Sequence, residues 1–153
     1  MFLRPPKNLK RSYGSWAVIT GSTDGIGKAI AMELVSEGLN LVLVGRDSLK
    51  LESTSSEIRR RIGDRVSIRT IVIDFAKVGG EEIEKRIGGL DVGVLINNAG
   101  LAYPFARFFH EVDLNLMESV VGVNIVGATW VTKAVLAGKI HRAALRASIL
   151  SLT

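Results

Sequence analysis

Between the apolar run Trp16-Ala17-Val18-Ile19-Thr20 and a stretch of helical periodicity stands the turn Gly21-Ser22-Thr23-Asp24-Gly25-Ile26-Gly27. Glycines at such a place allow a tight reversal, close approach of backbone to a phosphate, and close packing of the next helix on the strand. The helix N-terminus behind them offers unpaired N–H groups and a partial positive charge. The chemistry this pattern points to is pyrophosphate binding, with residues Gly21 to Gly27 as the cradle. Other polar residues stand at the ends of apolar runs: Arg46 after Gly45, Asp74 after the run from Val66, and Asn97-Asn98-Ala99-Gly100 after Val92 to Ile96. Asn124 is different, because it interrupts an otherwise apolar helical pattern. It is a poor helix former that costs free energy if buried unpaired, so it needs a partner.

The elements that must position these residues are legible from periodicity. Trp16 to Thr20 predicts a strand, and Ile26, Ala29, Ile30, Leu34 and Val35 predict a helix closed by Gly38. Leu39 to Val44, almost wholly apolar, predicts a strand buried on both faces. A more polar helix follows from about Ser48, weakened by Ser53 to Ser56 and closed by Gly63-Asp64. Val66 to Asp74 predicts a third strand, Glu81 to Ile87 a short acidic helix, and Val92 to Ile96 a fourth strand. Leu116, Val120, Val123, Gly127, Val131 and Val135 trace one face of a long helix starting near Asp113, and Ala147 to Leu152 begins a fifth strand. Strands alternating with helices predict an α/β class, a Rossmann-type doubly wound parallel sheet. That fold ordinarily has a sixth strand, so about five make it incomplete.

The spacing Gly-x-x-x-Gly-x-Gly, Asp74 after the third strand, Asn97-Asn98-Ala99-Gly100 after the fourth and Asn124 in the long helix together resemble the short-chain dehydrogenase/reductase family. The closer similarity is to the very-long-chain 3-oxoacyl-CoA reductases of plants and their 17β-hydroxysteroid dehydrogenase relatives. It is carried by Tyr13 to Ala17, Gly21 to Lys28, Leu90 to Asn98, and Tyr103 to Asp113. The resemblance implies that Asp74 contacts the adenine and that Asn98, Ala99 and Gly100 line the ribose and nicotinamide side of the cofactor. Each also has a structural alternative: Asp74 as the end of a strand, and Asn97-Asn98 as amides satisfying backbone groups between strands.

Charge bears on which nicotinamide cofactor is bound. An acid some ~20 residues after the glycines would bond the ribose 2′-hydroxyl of NAD, whereas an arginine accommodates a 2′-phosphate. Here Gly45 takes the place of the acid and Arg46 stands beside it, which favours NADP(H). Asp47 is adjacent, and Asp24 lies where some NADP-binding members have a basic residue. The alternative for Arg46 is a solvated loop arginine.

Carbonyl reduction needs a hydride donor and a proton donor on the carbonyl oxygen. In this family a Tyr, a Lys four residues later, a Ser and an Asn serve the proton side; only the Asn can be placed, at Asn124, with a satisfied core amide as its alternative. The tyrosines, Tyr13 and Tyr103, have no Lys four residues on, and the chain reaches Thr153 where the family's Ser would follow. Ser151 and Thr153 are weak substitutes, and neither His110 nor His141 forms a plausible acid–base pair. The expected organisation is therefore a basic segment, residues 1–12, followed by residues 13–153 as the N-terminal part of an NADP-binding domain, cut before the catalytic Ser, Tyr and Lys.

Composition is that of an ordinary globular chain: 153 residues, 47% hydrophobic and 23% charged, with no Cys. That rules out a disulfide framework, a thiolate metal site and a Cys nucleophile, and no metal-ligand set is read. The net charge of +5 comes from the ends. Residues 1–12 hold Arg4, Lys7, Lys10 and Arg11, and residues 133–153 hold Lys133, Lys139, Arg142 and Arg146, with no acid in either. The other 12 basic residues face all 15 acids, a body of −3, so no nucleic-acid groove is expected. The longest uncharged stretch, Val92 to Ala106, has 15 residues and includes Asn97 and Pro104, so no transmembrane segment is expected.

Two readings follow. One is an NADPH-dependent reductase of 3-oxoacyl-CoA or a steroid-like ketone, acting in fatty-acid elongation at the endoplasmic reticulum as the resemblance implies, with this chain alone inactive. The other is a catalytically dead nucleotide-binding module that pairs with full-length relatives or elongation partners. The relatives' apolar N-terminal anchor lies ahead of the region resembling residues 1–12, which would make Arg4 to Arg11 a juxtamembrane remnant.

Overall fold

The computed structural model describes residues 8–140 and 148–151. Arg4, Lys7, His141, Arg142, Arg146, Ala147, Leu152 and Thr153, all used in the sequence reading, lie outside the described residues. A short helix α1 (Leu9–Tyr13) precedes β1 (Trp16–Thr20), α2 (Gly25–Ser36), β2 (Asn40–Gly45), α3 (Ser48–Ile62), β3 (Ile68–Val72), α4 (Gly80–Ile87) and β4 (Val92–Asn97). The chain continues through α5 (Leu114–Val121), a π-helical turn (Gly122–Gly127), α6 (Ala128–Ile140) and β5 (Ser148–Ser151).

The strands form one parallel sheet in the order β3-β2-β1-β4-β5, as the doubly wound reading expects. Alternation along the strands divides the core in two. Ala17, Ile19, Leu41, Leu43, Val94 and Ile96 pack against Leu34 and Val35 of α2 and Leu51 and Ile58 of α3. Val18, Val42, Val44 and Leu95 pack against Ile83 and Ile87 of α4 and Val131, Ala134 and Val135 of α6. The central strands are thus buried on both faces, the reason β2 and β4 read as continuous apolar runs.

Aspartates start three of the helices. Asp24 accepts from Gly25 N, Asp47 from Lys50 N, and Asp113 from Leu116 N, each satisfying a donor that the first helical turn leaves free. Helix α3 runs unbroken through Ser53 to Ser56, with Thr54 and Ser55 buried.

Three expectations need correction. The third strand is shorter than Val66 to Asp74: a 3₁₀ turn at Gly63–Arg65 delays its start. Its end comes early because Asp74 opens a turn, its carboxylate accepting from Ala76 N at 3.1 Å and its carbonyl from Lys77 N and Val78 N. The long helix is not regular, since its middle widens into the π turn around Asn124. Finally, a count of uncharged residues passes over Leu114–Gly138, 25 residues long with an 18-residue stretch of mean hydropathy 1.6, because Glu118 and Lys133 interrupt it. By length and composition this helix could cross a membrane; here Val131, Ala134 and Val135 are packed on the sheet.

Candidate functional site

The carboxyl ends of β1 to β4 open onto one cavity of about 380 Å³. It lies where strand order reverses, with β2 and β3 to one side of β1 and β4 to the other, the place where doubly wound sheets hold ligands. Gly21 and Thr23 line it after β1, Gly45 and Arg46 after β2, Ile73 to Lys77 after β3, and Asn98 to Leu101 after β4, with Ser119 and Val123 from the long helix.

Of the residues expected to bind a cofactor, Gly21, Thr23, Arg46, Asp74, Asn98, Ala99 and Gly100 come together on this wall. Ser22, Asp24, Gly25, Ile26 and Gly27 are not among its lining residues. Ser22 is fully buried, its hydroxyl turned toward the carbonyl of Val44, and Ile26 is 66% exposed. Gly21 has φ of 64°, and a Cβ there would stand 2.9 Å from the backbone of Ala99. Gly27 lies against the carbonyl oxygen of Gly21 and the side-chain amide of Asn98, leaving no room for a side chain. The glycine turn is therefore clamped onto the loop after β4.

A hydrogen-bond network fixes that clamp. The Thr20 hydroxyl, buried at the end of β1, accepts from the backbone N–H groups of Asn98 and Ala99, both at 3.0 Å. The Asn98 amide in turn donates to the carbonyls of Thr20 and Gly21, each at 3.0 Å. Asn98 thus ties strands together, the structural role left open for it, while also lining the cavity. Asn97 is buried and donates to the Thr132 hydroxyl of α6 at 3.0 Å; its Oδ1 has no hydrogen-bond partner among the described residues.

Asn124 does not line the cavity. Its carboxamide makes a two-point pair with Leu101, accepting from Leu101 N at 2.8 Å and donating to Leu101 O at 2.9 Å. That pair is the partner a mid-helix Asn requires, and the π turn is what brings the side chain to it. Leu101 itself is a lining residue, so Asn124 positions the wall from behind.

The charges near the cavity sort by geometry. Asp47 spends its carboxylate on Lys50 N at 3.0 Å, and Asp24 spends its own on Gly25 N at 2.7 Å. Among the described residues no carboxylate forms an ion pair with Arg46. Lys77 reaches Asp74 at 3.6 Å and is the other cation on the wall. Sequence reasoning missed Thr20 and Lys77. The hydroxyl at the strand end was available as a signal, whereas Lys77 gave none. His110 stacks on Phe108 with ring centroids 5.8 Å apart, and Tyr103 has Arg107 four residues on. Neither joins the cavity.

A glycine turn, an arginine at the second strand's end and the Asn98–Gly100 loop opposite fit the phosphates and sugars of a dinucleotide. The chain is 49% identical over 142 residues to a very-long-chain 3-oxoacyl-CoA reductase-like protein of Arabidopsis thaliana, covering 92% of this chain and 45% of that protein. It is 41% identical over 132 residues to the human very-long-chain 3-oxoacyl-CoA reductase, covering 84% of this chain and 42% of that one. It thus spans less than half the length of these curated relatives. A short-chain dehydrogenase from Sphingobium yanoikuyae solved with NADPH superposes with a TM-score of 0.78 at 26% identity, over 89% of this chain and 52% of that one. The family model for short chain dehydrogenases matches residues 15–149, and with the glycine turn, the Asn-Asn-Ala-Gly loop and the parallel sheet in place, the chain belongs to the short-chain dehydrogenase family.

Proposed function

We propose that this chain is the cofactor-binding part of an NADPH-dependent reductase of 3-oxoacyl-CoA, with elongation of very long fatty acids at the endoplasmic reticulum as its setting. The observation that carries the NADP(H) assignment is Arg46 on the cavity wall, with Gly45 where an acid would bond a ribose 2′-hydroxyl and Asp47 drawn off as a helix cap. The substrate class rests on the similarity to reductases named for 3-oxoacyl-CoA. Gly21 and the first turn of α2 would hold the pyrophosphate, Asp74 the adenine, and Asn98 to Gly100 the ribose and nicotinamide side. When bound, the nicotinamide supplies a hydride to the carbonyl carbon.

The 153 residues hold no Tyr with a Lys four places on, so the polypeptide binds cofactor without turning over. Fluorescence titration tests the first half: NADPH should bind more tightly than NADH, and equal affinities would overturn the assignment. Oxidation of NADPH by the purified chain with a 3-oxoacyl-CoA would overturn the second.

A second reading is favoured by the sheet's edge. Strand β5 is the last in the order, and Leu150 on it is 47% exposed. Among the described residues β5 is the sheet's edge, and a full-length relative could supply its next strand in a mixed oligomer. Co-expression and co-purification of tagged short and full chains separates this reading from a solitary fragment.

A further inference from the structure

We propose that Lys77 is a specificity residue: with Arg46 it forms a two-cation site for the 2′-phosphate of the nucleotide, held in waiting by Asp74. The inference rests on the NADP(H) reading above and goes beyond it, since that reading uses Arg46 alone. The register of β2 and β3 puts Gly45 opposite Val72, and Ile73 N donates to Gly45 O at 2.9 Å. The segments carrying Arg46 and Asp74 to Lys77 therefore leave adjacent strands at one level and line one cavity. The turn is rigid at its base: the Asp74 carboxylate accepts from Ala76 N, and the Asp74 carbonyl from Lys77 N and Val78 N.

The Lys77 side chain is lightly held. It is 80% exposed, and among the described residues its ion-pair partner is the carboxylate of Asp74 at a loose 3.6 Å. Such a surface pair is weak and exchanges readily. A phosphomonoester beside it offers a stronger attraction, because it carries a charge of about −1.5 to −2 where the carboxylate carries one and already accepts from Ala76 N. Asp74 makes the lysine necessary as well as available. Its negative charge lines the same cavity and would repel a phosphate at Arg46 unless a cation stood between them.

The test is calorimetric titration of the full 153-residue chain with adenosine 2′,5′-bisphosphate and with 5′-AMP, which differ only in the 2′-phosphate. The expected result is tighter binding of the bisphosphate by the unsubstituted chain, and an affinity for it about five- to tenfold lower in Lys77→Gln. Binding of 5′-AMP should stay within about twofold, and Lys77→Arg should restore the preference. Because the side chain is exposed, the variant keeps its fold, checked by circular dichroism. A preference unchanged in Lys77→Gln but lost in Arg46→Gln overturns the role of Lys77 and leaves the NADP(H) reading standing. Equal binding of the two nucleotides by the unsubstituted chain, or binding of neither, overturns both.

Discussion

Asn124 and Leu101, 23 positions apart, are joined by a two-point amide pair in which each residue both donates and accepts. Through it the π turn of the long helix holds the loop that follows β4, and that loop carries Asn98, Ala99 and Gly100 along one wall of the cavity. The Asn124 side chain spends one N–H and one acceptor site on this task.

Replacing Asn124 by Leu keeps the bulk and removes both bonds, leaving a part-buried N–H and C=O of Leu101 unpaired. The expected loss is about 2 kcal/mol of stability. It should appear as a lower urea midpoint with an unchanged slope. A midpoint equal to that of the unsubstituted chain would show that the pair contributes nothing.

Thr20→Val is nearly isosteric and deletes only the hydroxyl that receives Asn98 N and Ala99 N. Two donors at the edge of the core then lack an acceptor, and about 1–3 kcal/mol is lost. Thr20→Ser retains the acceptor and should retain most of the stability. Because the freed loop lines the cavity, NADPH affinity should fall in the Val variant and hold in the Ser variant.

Gly27→Ala places a methyl group against the Gly21 carbonyl and the Asn98 amide. The first is backbone and cannot swing aside, so the turn must open. We expect a loss of about 1–3 kcal/mol and at least a tenfold drop in NADPH affinity, the equivalent of about 1.4 kcal/mol. Normal titration by the alanine variant would mean that the clamp between turn and loop is not needed for binding.

Much of this was legible because the parallel sheet imposes its pattern locally. Burial on both faces makes β2 and β4 apolar runs, while the glycines of the turn are dictated by positive φ at Gly21 and Gly25 and by the loop after β4 packed against Gly21 and Gly27. Asn124 announced that it needed a partner, but Leu101 could not be named, because a π turn has no sequence signature and the pairing spans a loop. Asp24 and Asp47 weighed against NADP(H) when charge alone was counted. Their positions just ahead of helices already marked them as caps, and capping withdraws both carboxylates. Lys77 was silent for a plainer reason: its significance lies in sharing a cavity with Arg46, and that depends on the pairing of β2 with β3.

Lys28 of α2 and Glu57 of α3 form a 2.7 Å ion pair across two helices that cover the same sheet face. The hydrogen bond from Lys28 is the main cause that holds the Glu57 carboxyl below its ordinary 4.5, with the charges of Lys28, Arg60 and Arg61 adding to it. A carboxyl whose folded value is depressed contributes stability that is fully present above the unfolded value and is lost as pH falls through the folded one. Stability of the unsubstituted chain should therefore drop more steeply than that of Glu57→Gln below pH 4.5, and the two should run parallel above it. Both side chains are partly exposed, so the difference should shrink in high salt. Lys28→Met should flatten the curve in the same range, and the double variant should add little to either single one. Urea midpoints measured against pH at low and high salt decide it: curves that stay parallel through the acid range would mean the pair does not couple α2 to α3.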